Sequence, residues 1–222
     1  MEGYNVFRRD RKFDKGKTRG GGVLLYVRED LKVHEIDHGE SNCEALFVSI
    51  KILGLGNLIV GVCYRSPTAG REEFESLRSV IRKQTIEAAV IMGDFNYGGI
   101  NWQTWEATAE EGEFVEMLKD CFLTQHVMEL PRDSMKTVDI VLSTEPGLVE
   151  EVEIGCPIAN SDHYTIFFKI PFQTGSVKKK EIWCWNKADY EEICSKLESV
   201  QWDDILEGKD VQQKGYAMNG NC

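Results

Sequence analysis

The chain has 222 residues, 42% of them hydrophobic and 28% charged, with a formal charge of −11 at pH 7. Length and composition fit one globular domain with an appendage and enough apolar residues for a real core. They argue against a membrane span, which needs a run of about 18 apolar residues, and against gripping nucleic acid by net charge alone.

The N-terminal residues Met1-Glu2-Gly3-Tyr4 lack the apolar core of a signal peptide. Seven cysteines are scattered, without a CxxC pair. Their odd number and spacing point to reduced thiols, hence an intracellular protein of nucleus or cytoplasm that is not secreted, and against a zinc site or disulfide framework. Charge is uneven. Residues 1–20 hold seven Arg or Lys against three acids, a net +4 that leaves −15 on the remainder. Arg8, Arg9 and Arg11 in this basic arm could touch phosphates, and a solvated charge run is the plainer alternative.

In chain order, residues 3–8 read as a strand, followed by a polar, Gly-rich loop to Gly22 and a β-branched strand at 23–28. Gly20-Gly21-Gly22 precedes a strand and lacks the Lys of a phosphate-binding loop, so it reads as a turn or bulge. A weak edge strand at 31–36 comes before two strong strands, 45–52 and 57–64, which Gly54-Leu55-Gly56 joins as a hairpin. Pro67 stops the ladder after Tyr64, leaving that residue near a sheet edge with a free phenol or packed in the core. Residues 71–83 carry Phe74, Leu77, Val80 and Ile81 at helical spacing. A buried strand at 88–92 follows, so the sheet is expected to be mixed with an outer helix.

That strand runs into Gly93-Asp94-Phe95-Asn96. If extended geometry lasts two residues past the strand, Asp94 and Asn96 face one cleft. There a carboxylate and an amide could hold a water, a phosphate oxygen or a hard metal ion; the alternative is an Asx turn closing the strand. Trp102 and Trp105 lie in the loop at 97–108 and could stack on bases or pack in the core. Residues 113–122 read as a second helix. The strand at 137–142 carries Asp139 between Val138 and Ile140, and a buried acid there needs a partner. After a further strand at 151–155, Ser161-Asp162-His163 leads into a last strand at 165–170. A carboxylate beside His163 could fix its tautomer or hold it protonated, ready to stabilise phosphate charge. Residues 173–187 read as a linker, 188–207 as an amphipathic helix that packs on the domain or meets a partner, and 208–222 as a disordered tail.

Four pieces stand in order: Gly61-Val62-Cys63-Tyr64-Arg65-Ser66-Pro67, Gly93-Asp94-Phe95-Asn96, Val138-Asp139-Ile140-Val141-Leu142 and Ser161-Asp162-His163. Together they resemble the endonuclease/exonuclease/phosphatase family. More narrowly they look like the endonuclease domain of LINE-type (non-LTR) retrotransposon polyproteins, as does Gly3 to Arg11 followed by Gly20-Gly21-Gly22-Val23. The resemblance covers residues 3–170. It implies an α/β fold, a two-sheet sandwich with helices outside and one cleft at the strand ends, here with a C-terminal helical extension. It also implies magnesium-dependent hydrolysis of a DNA phosphodiester. Asp94 would orient or deprotonate the attacking water, Asn96 would contact the phosphate and Tyr64 would sit against it. Asp139 would orient His163, which would stabilise developing charge, and Asp162 would sit near the metal.

The family also begins with two strands, one bearing an Asn and one the metal-binding Glu, ahead of the segment matching Gly3-Tyr4. The chain is therefore expected to be N-terminally truncated and its cleavage weak or absent. Two alternatives remain, a non-catalytic remnant or interaction module that keeps the fold, and a phosphomonoesterase of the same superfamily. The Tyr4 to Arg11 stretch disfavours the latter.

Overall fold

In the computed structural model of the chain, residues 2–11, 21–37, 39, 43–52, 56–128, 138–171 and 188–201 are described. The near-continuous apolar runs of the central strands dictate a sheet buried on both faces. Six strands form it: β3 (Val33–Glu35), β4 (Glu44–Ile52), β5 (Gly56–Tyr64), β6 (Ala89–Asp94), β8 (Asp139–Ser143) and β7 (Thr124–Gln125), in that spatial order. β4 and β5 pair antiparallel from Glu44↔Tyr64 to Ile52↔Gly56. β5 and β6 pair parallel, and the crossover between them is α1 (Arg71–Gln84). β8 runs antiparallel to β6.

One face packs on the helices. Ala45, Phe47, Ile59, Cys63, Ala89, Ile91, Ile140 and Leu142 form one cluster with Leu77 and Ile81 of α1 and with Phe114, Met117 and Leu118 of α2 (Ala109–Asp120). α1 carries Glu72 and Glu73 in its first turn and Arg82 and Lys83 in its last, each the favoured sign for the helix dipole. Arg71–Glu113 and Arg82–Asp120 pairs link the two helices, both at 2.6 Å.

The opposite face carries the alternate residues Val48, Ile50, Leu58, Val60, Val90 and Val141. It meets two small sheets: β1 (Tyr4–Asp10) with β2 (Gly22–Arg28), and β9 (Glu150–Ile154) with β10 (Ile166–Lys169). Phe7, Leu25 and Val27 come from the first pair, and Val152, Ile154, Ile166 and Phe168 from the second. The expected two-layer α/β sandwich is thus present, its second layer divided into two pairs of strands.

Several boundaries moved. β1 extends two residues beyond the expected 3–8. α2 begins at Ala109, not 113: Thr108 is its N-cap without a side-chain bond to the helix backbone, and the Thr108 carbonyl accepts from the Gly112 N–H at 2.8 Å to close the first turn. The two-residue β7 and a 3₁₀ turn at Pro146–Leu148 are too short to show a period. Trp102 is 5% exposed and meets Trp105 edge-on at 5.6 Å, so this pair packs. The loop at 12–20, Thr137, the linker and the tail lie outside the described residues. In the second unit, from Lys187 on, the described residues 188–201 hold α3 (Tyr190–Ser199), with Tyr190 and Ile193 exposed on it; residues 202–207 of the expected helix lie outside the described residues. Among the described residues no helix is long and apolar enough to cross a membrane.

Candidate active site

Sheet topology decides where the chemistry-bearing residues meet. β5 and β6 are parallel and end together, while β4 and β8 run the other way and begin at that same end. One rung therefore reads Glu44, Tyr64, Asp94, Asp139 across four adjacent strands.

Asp94 ends β6 in a turn. Gly93 has φ +141° and Asn96 has φ +51°, so the extended geometry does not continue past the strand. The Asx turn is realised instead. Asn96 donates its backbone N–H to Asp94 Oδ1 at 3.0 Å and its side-chain Nδ2–H to Asp94 Oδ2 at 2.8 Å. The same Nδ2 donates to the Arg65 carbonyl at 2.8 Å, which engages both amide hydrogens. Phe95 between them is 1% exposed, and its N–H bonds the Val138 carbonyl at 3.0 Å. A turn anchored this way presents Asp94 with both oxygens already oriented.

Asp139 has the partner its burial requires: His163 Nδ1 lies 2.6 Å from its Oδ2. That contact assigns the Nδ1 proton and leaves Nε2 facing Asp94 Oδ2 at 4.0 Å. The hydrogen bond with Asp139 raises His163 above its ordinary 6.5, against partial burial, with Asp139, Asp94 and Asp162 adding to the rise. Burial raises the Asp94 carboxyl above its ordinary 3.8; the Asn96 backbone bond opposes this, and the Asp139 charge adds to it. Ligand atoms of Asp94, Asp139 and His163 all lie within 4.8 Å of one another. The Asp162 side chain is 98% exposed, with Oδ1 3.8 Å from His163 Nε2, outside that group of three.

Tyr64 lies half-buried on the rung. The three arginines expected to meet nucleic acid have separate settings. Arg8 pairs with Asp10 at 2.7 Å on the surface, Arg9 sits on β1, and Arg11 is drawn inward to Glu44. Two residues had no role assigned from sequence. Arg65 supplies the carbonyl that holds Asn96 and stacks its guanidinium 4.2 Å from the Tyr97 ring centre. Glu44 stands opposite Tyr64, a pairing that counting outward from the hairpin turn would have revealed.

Residues 58–167 match a family model described as endonuclease-reverse transcriptase. Among solved structures, the endonuclease domain of TRAS1, a telomere-specific non-LTR retrotransposon, is similar at 19% identity with a TM-score of 0.59, covering 78% of this chain and 83% of that one. An endonuclease/exonuclease/phosphatase family protein from Leptotrichia buccalis aligns at 17% identity with a TM-score of 0.49, over 78% of this chain and 74% of its own. The human Nocturnin catalytic domain aligns at 14% identity with a TM-score of 0.47, over 75% and 73%. A comparison with curated protein sequences found no match. The family match spans every rung residue from Tyr64 onward together with His163, and the chain shares its fold with the retrotransposon endonuclease domain of TRAS1: residues 58–167 are similar to the endonuclease-reverse transcriptase family.

Proposed function

We propose that this domain hydrolyses DNA phosphodiester bonds slowly, with the help of a divalent cation of the magnesium class. The observation that carries the reading is the juxtaposition at one end of the sheet of two bonded pairs, Asp139–His163 and Asp94–Asn96, with His163 Nε2 4.0 Å from Asp94 Oδ2. Asp94, fixed through both oxygens and with its pKa raised, is suited to orient a water and accept its proton. The 4.0 Å between Asp94 and His163 Nε2 leaves that nitrogen unbridged and turned toward the cleft. Held protonated by Asp139, His163 would donate to a phosphate oxygen as negative charge builds on it. Asn96, with both amide hydrogens engaged, serves this scheme by fixing Asp94, and Tyr64 borders the phosphate position from the next strand.

The donor chemistry fits a hard cation, since Asp94 and Asp139 offer oxygen donors beside each other and Asp162 adds an exposed carboxylate. Those carboxylates would hold it, and when bound it supplies Lewis-acid polarisation of a phosphate oxygen. One observation favours a second reading, a fold retained for binding without cleavage. Asp94 and Asp139 already direct oxygens to Asn96 and His163, which competes with metal ligation.

Nicking of supercoiled plasmid by purified protein, with magnesium and with EDTA, tests the proposal. Magnesium-dependent nicking that Asp94→Ala and His163→Ala both abolish is the expected result. A folded protein that never nicks leaves the binding reading, and nicking that survives both substitutions refutes the residue assignments.

A further inference from the structure

The β1–β2 hairpin reaches the candidate site through one side chain. Arg11 follows the last ladder pair of the hairpin, and its backbone N–H bonds the Gly21 carbonyl at 3.0 Å. Its guanidinium grips Glu44 at two points: Nε to Oε1, and Nη2 to Oε2 at 3.3 Å. The pair is sheltered, with Glu44 16% and Arg11 39% exposed, so it is less screened than the surface pairs on the helices. The Arg11 guanidinium also lies 5.2 Å from the Tyr64 ring centre, within cation–π range. Glu44 and Tyr64 are direct cross-strand partners. A third, independent feature concerns Gly21. A Cβ there would meet the Arg11 guanidinium at 2.9 Å, so a side chain at this position obliges the guanidinium to shift.

We infer that Arg11 and Glu44 are positioning residues for Tyr64, with Glu44 holding the Arg11 guanidinium against the tyrosine ring so that the phenol stays fixed at the phosphate position. This rests on the hydrolytic reading of the same cleft. It gives Arg11 a task other than gripping nucleic acid, because a guanidinium whose charge is paired with a carboxylate attracts a phosphate less. It also explains why a basic arm carries a glycine-rich approach: Gly21 makes space for the side chain that links the hairpin to the sheet.

The test combines Glu44→Gln, Gly21→Ala and Tyr64→Phe, each checked for an unchanged thermal midpoint. Gly21→Ala is the cleaner probe, since the overlap is with the far end of a flexible side chain and displaces Arg11 rather than the fold. Plasmid nicking by Glu44→Gln is expected to show kcat lowered on the order of tenfold to a hundredfold with KM unchanged, the scale of a misplaced active-site group. In the Tyr64→Phe background the same change should have no further effect, because coupled residues are not additive. Independent, multiplying effects, or a rise in KM alone, overturn the proposal. A second readout does not need activity. In protein labelled with 3-fluorotyrosine, the Tyr64 resonance, assigned by its loss in Tyr64→Phe, should move in both Glu44→Gln and Gly21→Ala and stay put in Arg82→Gln, whose pair lies on the helices. A resonance unmoved in the first two overturns the proposal whether or not the parent protein nicks DNA. A parent that never nicks, with the resonance moved, refutes hydrolysis and supports the positioning contact.

Discussion

Replacing Gly93 by alanine is expected to be among the most damaging single changes in the domain. Gly93 sits in β6 opposite Cys63 of β5, one residue before Asp94. Its φ of +141° lies where side chains are strained, and a Cβ would stand 1.8 Å from the Cys63 carbonyl oxygen. Backbone strain of this kind costs about 1–3 kcal/mol. The overlap is with main chain of the neighbouring strand, so relief requires the parallel β5–β6 ladder to separate at the site. Lost ladder bonds add roughly 0.5–1.5 kcal/mol each. Mid-range strain and one lost bond total about 3 kcal/mol. Equilibrium unfolding in urea would register it as a midpoint lower by roughly 1.5 M, for a slope of about 2 kcal/mol per M. Gly112→Ala is the matching control. It lies inside α2 with nothing within 4 Å of the added carbon, and should stabilise by about 0.5–1 kcal/mol. If Gly93→Ala unfolds within about 1 kcal/mol of the parent, the reasoning is wrong, and the turn that presents Asp94 is more adaptable than its geometry implies.

Asp139→Asn removes the main cause of the raised His163 pKa. If protonated His163 is needed, the alkaline limb of the nicking profile moves to lower pH in this variant. Stability follows the same sign. A raised folded-state value contributes fully below the ordinary 6.5 and is lost as pH rises through the folded value, so urea midpoints measured across neutral pH should vary less in Asp139→Asn. Phe114→Ala empties a fully buried position that stacks on Tyr97 at 4.3 Å and lies 5.4 Å from Phe95. The expected cost is about 3–5 kcal/mol, read by thermal or urea unfolding, and a loss under about 1 kcal/mol would contradict the packing described.

Much of the scaffold was legible in the sequence because its signals are local. Apolar runs bounded by turn residues marked β4, β5 and β6, and period-3.6 spacing of Phe74, Leu77, Val80 and Ile81 marked α1. The motif residues could be singled out because an acid is costly in an apolar strand unless it has a partner. Asp139 was such a residue, and His163 lies 24 positions away from it. Other features were out of reach for different reasons. The Asx turn at Asp94 was one of two alternatives open to the sequence, and choosing it depends on Gly93 and Asn96 adopting positive φ, which no pattern of polarity encodes. α2 starts four residues ahead of the expected 113, in a first turn that lies before its periodic apolar residues Phe114, Met117 and Leu118.

Sequence by itself determined the longer strands and helices and which residue types could carry phosphate chemistry, since propensity, periodicity and the cost of burying charge act over a few positions. Only the tertiary structure decided that Glu44, Tyr64, Asp94 and Asp139 share one rung, because that alignment depends on strand order and direction across the sheet. The commitment of Arg11 to Glu44, 33 residues away, was settled at the same level. A guanidinium's partner is chosen by which carboxylate the fold brings within reach.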